Sequence, residues 1–264
     1  MINMNNFKKF WLQFGFLIAT VITLFVNGLA TFGNLGGLST KEISDKFFTI
    51  LTPAGFTFSI WSIIYLGLLI VGVGIALKKI QTTFKTLTYY AGSSFANCTW
   101  IFLWQFINPA LSTFMLFVLV YFNAKTYLEL KKSNTENNPK NNQIRTSVTS
   151  LYLIYLGWSI VASLINIIVL FKYVLGFNGF GINEGHWGLG LIISALVINI
   201  FISIRELNPT AAIVLFWALI GIKSAQANVI LINGINVIMV LLVLLAAQTF
   251  REYKKAKENL SSVI

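Results

Sequence analysis

Residues 53–65 read PAGFTFSIWSIIY: a proline and a glycine, then an aromatic-rich run that opens a long apolar stretch. Phe58, Trp61 and Tyr65 follow one another at steps of three and four, so all three share one face of a helix. A helix that only had to satisfy lipid needs nothing beyond Leu, Ile and Val. Large rings with polar tips along one stripe point to a surface that meets something specific, or to a ring of side chains at the lipid interface.

Composition says where such a helix lives. The chain has 264 residues, 56% hydrophobic and 10% charged, with a mean hydropathy of +0.77. A soluble domain is about 45–50% apolar and about 25% charged. These figures imply an all-α integral membrane protein, because each span must satisfy its own backbone hydrogen bonds in lipid. The net charge of +11 then reads as basic cytoplasmic loops facing anionic lipid, not as a nucleic-acid surface. The single cysteine, Cys98, excludes an internal disulfide and says little about compartment.

Apolar stretches of about 20 residues, enough to cross about 30 Å of hydrocarbon, occur near 11–32, 55–77, 87–106, 110–128, 148–170, 187–204, 209–224 and 228–249. The third is the least greasy, with Ser93, Ser94, Asn97 and Gln105, and the seventh is short. The first has too long an apolar region for a signal-peptide core of 7–15 residues, so it reads as a retained span. With a cytoplasmic N-terminus and eight crossings, only Lys41, Lys46, Lys172 and Lys223 of the 19 basic residues fall outside. That asymmetry is the positive-inside pattern and places both termini in the cytoplasm. The Asn-rich segment 131–146 reads as a flexible cytoplasmic loop, and 251–264 as a basic cytoplasmic tail. The Asn/Ile/Lys-rich usage suggests an AT-rich genome and a prokaryotic plasma membrane.

The spans hold little for acid–base or metal chemistry. All eight acidic residues fall in loops, span ends or tails under this topology. An intramembrane carboxylate, the usual mark of a proton relay, is therefore not expected. His186, beside Trp187 at the start of the sixth span, reads as an interfacial pair. No CxxC, HExxH, GxSxG or phosphate-binding glycine loop occurs. The expectation is a non-enzyme that requires no cofactor or metal.

Aromatic residues and amides fill the interior instead. In FANCTWIFLW (95–104), Asn97 and Trp100 lie three apart on one face, with Trp104 a turn further. In YLGWSIVASLIN (155–166), Tyr155, Trp158, Ala162 and Asn166 line one stripe. An asparagine in lipid is costly without a partner, so Asn97 and Asn166 belong at helix–helix contacts or in a polar cavity. Trp217, Lys223, Gln226 and Asn228, with Asn233 and Asn236, cluster near later span ends and suit either a pathway or an interface.

Three of these patterns together resemble a family. The P-x7-W-x3-Y of Pro53, Trp61 and Tyr65 is similar to the start of the second helix of the TspO/MBR family, the tryptophan-rich sensory proteins, whose animal members are the mitochondrial translocator proteins. Asn97 and Trp100 resemble its third-helix N-x2-W. Tyr155, Leu156, Trp158, Ala162 and Asn166 resemble its fifth-helix signature. The resemblance covers residues 11–170. It implies a five-helix bundle (1–170) whose pocket is capped by the loop 33–52 and lined by Phe58, Trp61, Tyr65, Asn97, Trp100, Tyr155, Trp158, Ala162 and Asn166.

The same resemblance implies a hydrophobic ring ligand such as a porphyrin, haem or sterol, bound for transport or sensing as by a receptor. It names the lipid bilayer and a small hydrophobic molecule as partners, leaves a homodimer open and includes no nucleic acid. The chain departs from the family at Ala54, Gly55, Phe56 and Ser59, where a second proline, a tryptophan and a further proline are usual, and in a capping loop without tryptophan. Three additional helices (171–250) follow, with no internal repeat relating them to the first five. The alternative is a facilitative small-solute carrier whose path the amides line. An enzyme acting on a lipid-soluble substrate is a third reading.

Overall fold

The computed structural model describes residues 4–33, 35–133 and 139–261, and every regular element among them is helical. Nine α-helices follow in order: α1 (Met4–Thr31), α2 (Thr40–Lys46), α3 (Ile60–Ala76), α4 (Phe84–Gln105), α5 (Pro109–Ser133), α6 (Pro139–Val169), α7 (Glu184–Glu206), α8 (Thr210–Ala225) and α9 (Val229–Ser261). A 3₁₀ turn, Gly55–Ser59, leads into α3, and α6 runs on into a π turn at Leu170–Val174.

Each of the eight apolar stretches falls on its own helix, and α2 lies inside the expected loop 33–52. Six helices, α1, α3, α5, α6, α7 and α9, are long and apolar enough to cross a membrane. α4 is long enough but interrupted by Thr, Ser, Asn and Gln side chains. α8 has 16 residues, or about 24 Å at 1.5 Å per residue. The outward faces are greasy as well. On α3, Ile64, Leu68 and Ile75 are buried while Ile63, Leu66 and Ile70 are about 60% exposed. Apolar surface on both sides of a helix suits lipid outside and protein inside. The protein is an all-α membrane protein.

The segment 131–146 departs from its reading as a loop. α5 continues through Lys131 and Lys132 to Ser133, and α6 already begins at Pro139; residues 134–138 lie outside the described residues. Proline suits the first helical turn, where its missing N–H is not needed, and two lysines in a last turn complement the helix dipole. The polar composition therefore extended helices beyond the apolar stretches.

Asparagines start several helices. Asn108 Oδ1 accepts from the Leu111 N–H at 3.1 Å, Asn183 from Gly185 at 2.8 Å, Asn208 from Thr210 at 2.9 Å and Asn228 from Leu231 at 3.0 Å. Each side chain satisfies a first-turn N–H that has no helical partner. Before α2, Ser39 and Glu42 form a reciprocal box: the Glu42 N–H donates to Ser39 Oγ at 3.2 Å, and the Ser39 N–H to Glu42 Oε2 at 2.7 Å.

The chain divides into two compact units. One comprises residues 1–46 and 58–159: α1 to α5 and the first part of α6. Within it α4 packs on α1 and α5, and α1 on α3. The Phe16 and Tyr90 rings stack at 3.6 Å between α1 and α4. The other comprises 47–57 and 160–264, in which α7, α8 and α9 pack on one another.

In this second unit the PAG stretch is held by α8. The Ala54 N–H donates to the Gly221 carbonyl at 2.9 Å, Trp217 Nε1 to the Thr57 carbonyl at 3.1 Å, and Gln226 Nε2 to the carbonyls of Thr49 and Thr52 at 3.1 and 2.9 Å. A Cβ on Gly221 would collide with the Thr57 side chain, so this approach depends on glycine.

Candidate functional site

The aromatic stripe of the opening stretch meets its partners in the first unit. Trp61, one residue into α3, is half-buried. Its ring stacks on Tyr65, one turn along the same helix, at 5.4 Å, and on Trp100 of α4 at 5.3 Å. Edge-to-face contacts with Tyr155 at 6.2 Å and Trp158 at 6.1 Å bring in α6. Four rings from three helices thus converge on Trp61, at spacings where aromatic pairs each add about 0.5–1.5 kcal/mol beyond area burial.

The polar tips of this cluster are incompletely satisfied. Trp100 Nε1 and Trp158 Nε1 are buried without an acceptor, and the Tyr65 hydroxyl lies buried beside the Asn97 amide without a well-formed hydrogen bond. A buried donor left unmade costs about 1–3 kcal/mol. Three such groups around one ring cluster are therefore a feature to be explained.

Asn97, fully buried, is satisfied on both sides. It accepts from Asn27 Nδ2 of α1 at 2.7 Å and donates to the Tyr155 hydroxyl of α6 at 3.1 Å. A polar seam continues from it. Thr23 and Ser94 hydroxyls pair across α1 and α4, as do Thr20 and Tyr90 at 2.7 Å. Ser93 donates to Asn123 Oδ1 of α5 at 2.5 Å, and Asn123 Nδ2 donates to Ser159 of α6 at 2.9 Å. The amide at position 97 thus ties helices together.

The short motifs and this geometry point the same way, and comparison with family models decides it. The model described as TSPO-like protein matches residues 13–249. The chain belongs to this family. The match runs past residue 170, where the short motifs end, and takes in α7, α8 and most of α9. Comparison with curated proteins and with solved structures returns no match.

Of the nine residues that the TSPO-like motifs single out, the structure brings six into one cluster: Trp61, Tyr65, Asn97, Trp100, Tyr155 and Trp158. Phe58 is half-buried at the foot of α3. Ala162 and Asn166 lie on the same stripe of α6 but in the second unit; Asn166 Nδ2 donates to the Ala162 carbonyl at 3.0 Å, and both residues are buried.

The expected capping loop is divided. Its first part lies on the end of α4: Trp104 Nε1 and Gln105 Nε2 donate to the Thr40 carbonyl and hydroxyl, each at 3.4 Å, and a Cβ on Gly36 would stand 2.7 Å from the Gln105 carbonyl. Its last part, from Phe47, belongs to the second unit. Trp217 and Gln226, which suited pathway or interface alike, hold that last part in place.

Asn27 and Asn123 were missed by sequence reasoning. Asn27 has no aromatic residue three or four positions away to mark it, and Asn123, with Tyr127 four residues on, lies outside the three motif segments. The signal that could have found them is the cost of an isolated amide in a lipid span. Among the described residues no group of three His, Cys, Asp or Glu could hold a metal ion, and His186 is exposed at the start of α7.

Proposed function

We propose that this TSPO-like protein binds a flat hydrophobic ring ligand, a porphyrin, haem or sterol, at the Trp61 cluster, and uses that binding for transport or sensing without catalysing a reaction. The observation that carries the reading is the set of buried donors at Tyr65, Trp100 and Trp158 among five aromatic rings. An indole N–H only donates, so what completes it is an acceptor. The propionate oxygens of a tetrapyrrole or the oxygen of a sterol supply one, while the ring faces supply stacking. Tyr65 and Tyr155 are the ionisable members of the cluster, and in this reading their hydroxyls serve as hydrogen-bonding groups toward the guest.

Trp61 stacks directly on Tyr65 and Trp100, and a flat guest between two rings needs them about 7 Å apart, twice a van der Waals contact. Binding therefore moves Trp61 out of one stack, and its fluorescence reports the event. The test is quenching of the purified protein by protoporphyrin IX beside Trp158→Phe and Asn97→Ala. Saturable micromolar quenching is expected, weakened about three- to tenfold by loss of the Trp158 N–H. Absence of saturable binding in folded protein, or wild-type affinity in both variants, overturns the proposal.

A second reading, the facilitative carrier, draws on the seam from Thr20 to Ser159. Its side chains are largely engaged with one another, which favours a structural tie over an open path. Solute flux in proteoliposomes without ring binding would put the carrier first.

A further inference from the structure

The second unit holds a cavity of about 250 Å³ that shares no residue with the Trp61 cluster. Its wall is aliphatic where Ile50, Ile168 and Leu191 meet, and aromatic where Phe171, Phe177 and Trp187 close on it. Phe177 sits edge-to-face on Trp187 at 5.3 Å and tilted against Phe171 at 5.6 Å. The Trp187 indole is fixed by donating to the Gly179 carbonyl at 3.0 Å. The π turn at Leu170–Val174 brings Phe171 and Lys172 to this cavity, and such turns are frequent at functional sites.

The polar groups gather at one place. Lys172 Nζ lies 3.3 Å from Glu184 Oε1, and both residues line the cavity. Their side chains are 39% and 62% exposed, so the pair contributes little to stability and opens at small cost. Opened, it presents one cation and one anion above an aromatic floor. A guest with an ammonium and an anionic group a few bonds apart satisfies both at once, whereas a guest with one charge leaves the other side chain unpaired. The volume limits the body of the guest, because a cavity of about 150 Å³ holds a benzene ring. A tetrapyrrole is far too large.

We infer that this cavity is a second ligand site, selective for a zwitterionic head whose apolar body enters by no more than the volume of one or two rings, with Glu184 receiving the ammonium and Lys172 the anion. The connection from α6 to α7 carries exposed Val174, Leu175, Phe180 and Ile182, and it joins the ends of two candidate spans. The site therefore opens at the level of the lipid interface. The same head chemistry reaches it from two sources, a free aromatic amino acid or the headgroup of phosphatidylethanolamine.

The test is scintillation-proximity binding of radiolabelled phenylalanine to the full chain in nanodiscs of phosphatidylcholine and phosphatidylglycerol. Saturable binding is expected, displaced about tenfold less well by 3-phenylpropionate or 2-phenylethylamine, each of which lacks one charge. Lys172→Ala and Glu184→Ala, exposed positions that leave folding intact, are each expected to abolish that preference. Trp158→Phe, in the other unit, is expected to leave it unchanged. If phosphatidylethanolamine added to the discs displaces phenylalanine, the headgroup is the guest in the membrane; if not, the free amino acid is. Wild-type affinity and an unchanged preference in both charge variants, or no saturable phenylalanine binding to the folded protein, overturns the inference.

Discussion

Asn27 of α1 donates from its side-chain amide to the side-chain oxygen of Asn97 on α4 at 2.7 Å. Asn97 passes the connection on to the Tyr155 hydroxyl of α6, so one amide joins three helices in a region that excludes water. Hydrogen bonds between membrane helices contribute about 0.6–2 kcal/mol each, because the separated helices also find partners. Asn97→Leu is expected to lower stability by about 1–2 kcal/mol, read by SDS titration of the folded helical signal. In a cycle of Asn27→Ala with Asn97→Ala, the coupling is expected to be positive and about 0.6 kcal/mol. A coupling of zero would refute the tie.

Trp61 is the one ring that touches all the others of its cluster. Trp61→Ala is expected to cost about 3–5 kcal/mol, the range for removing a large ring from a packed site. Trp61→Phe keeps a ring and should cost well under half of that. Thermal unfolding monitored by near-ultraviolet circular dichroism, which senses the packed aromatics, distinguishes the two. Equal stability of wild type and Trp61→Ala would mean that the cluster is not packed around it.

Gly221 gives the segment 47–57 its seat on α8. Gly221→Ala is expected to destabilise by about 1–3 kcal/mol, the usual cost of overpacking, and to expose 47–57 to protease in detergent. Thr57→Ala removes the hydroxyl and methyl that the new Cβ meets first, so the double variant should recover part of the loss. If Gly221→Ala alone leaves proteolysis at 47–57 unchanged, the segment is not seated on α8.

The Glu42 carboxyl of the α2 capping box is held below its ordinary value of 4.5, first by the Ser39 N–H, then by the Ser39 hydroxyl and the nearby Lys46, with burial opposing. A carboxylate whose value is lowered by folding stabilises the folded state above its unfolded value. That contribution fades as pH falls below 4.5 and through the lower folded value. α2 is thus expected to lose amide protection in acid, and Glu42→Gln to show a smaller difference between pH 7 and pH 3. Hydrogen exchange of a peptide covering 38–46, corrected for intrinsic rates, measures this. An identical pH response in the variant would dismiss the box as the cause.

Much of the fold was legible residue by residue. Apolar runs placed α1 and α3 to α9 because a chain in lipid must satisfy its backbone within each span, and that demand leaves its mark locally. Steps of three and four likewise put Trp61 with Tyr65, Asn97 with Trp100, and Tyr155 with Trp158 on common faces, since those spacings follow from helical geometry alone. What tertiary structure decided is which faces meet. Nothing in the spacing says that Trp61 stacks on Trp100, that Asn27 finds Asn97 seventy residues away, or that Ala162 and Asn166, on the stripe of Trp158, belong to another unit. Nor does it say that the PAG stretch fastens to Gly221, Trp217 and Gln226 before its helix begins. Those outcomes depend on pairing between helices distant in sequence, where close approach at a glycine and an acceptor for each buried donor are settled by packing and are not written in any one segment.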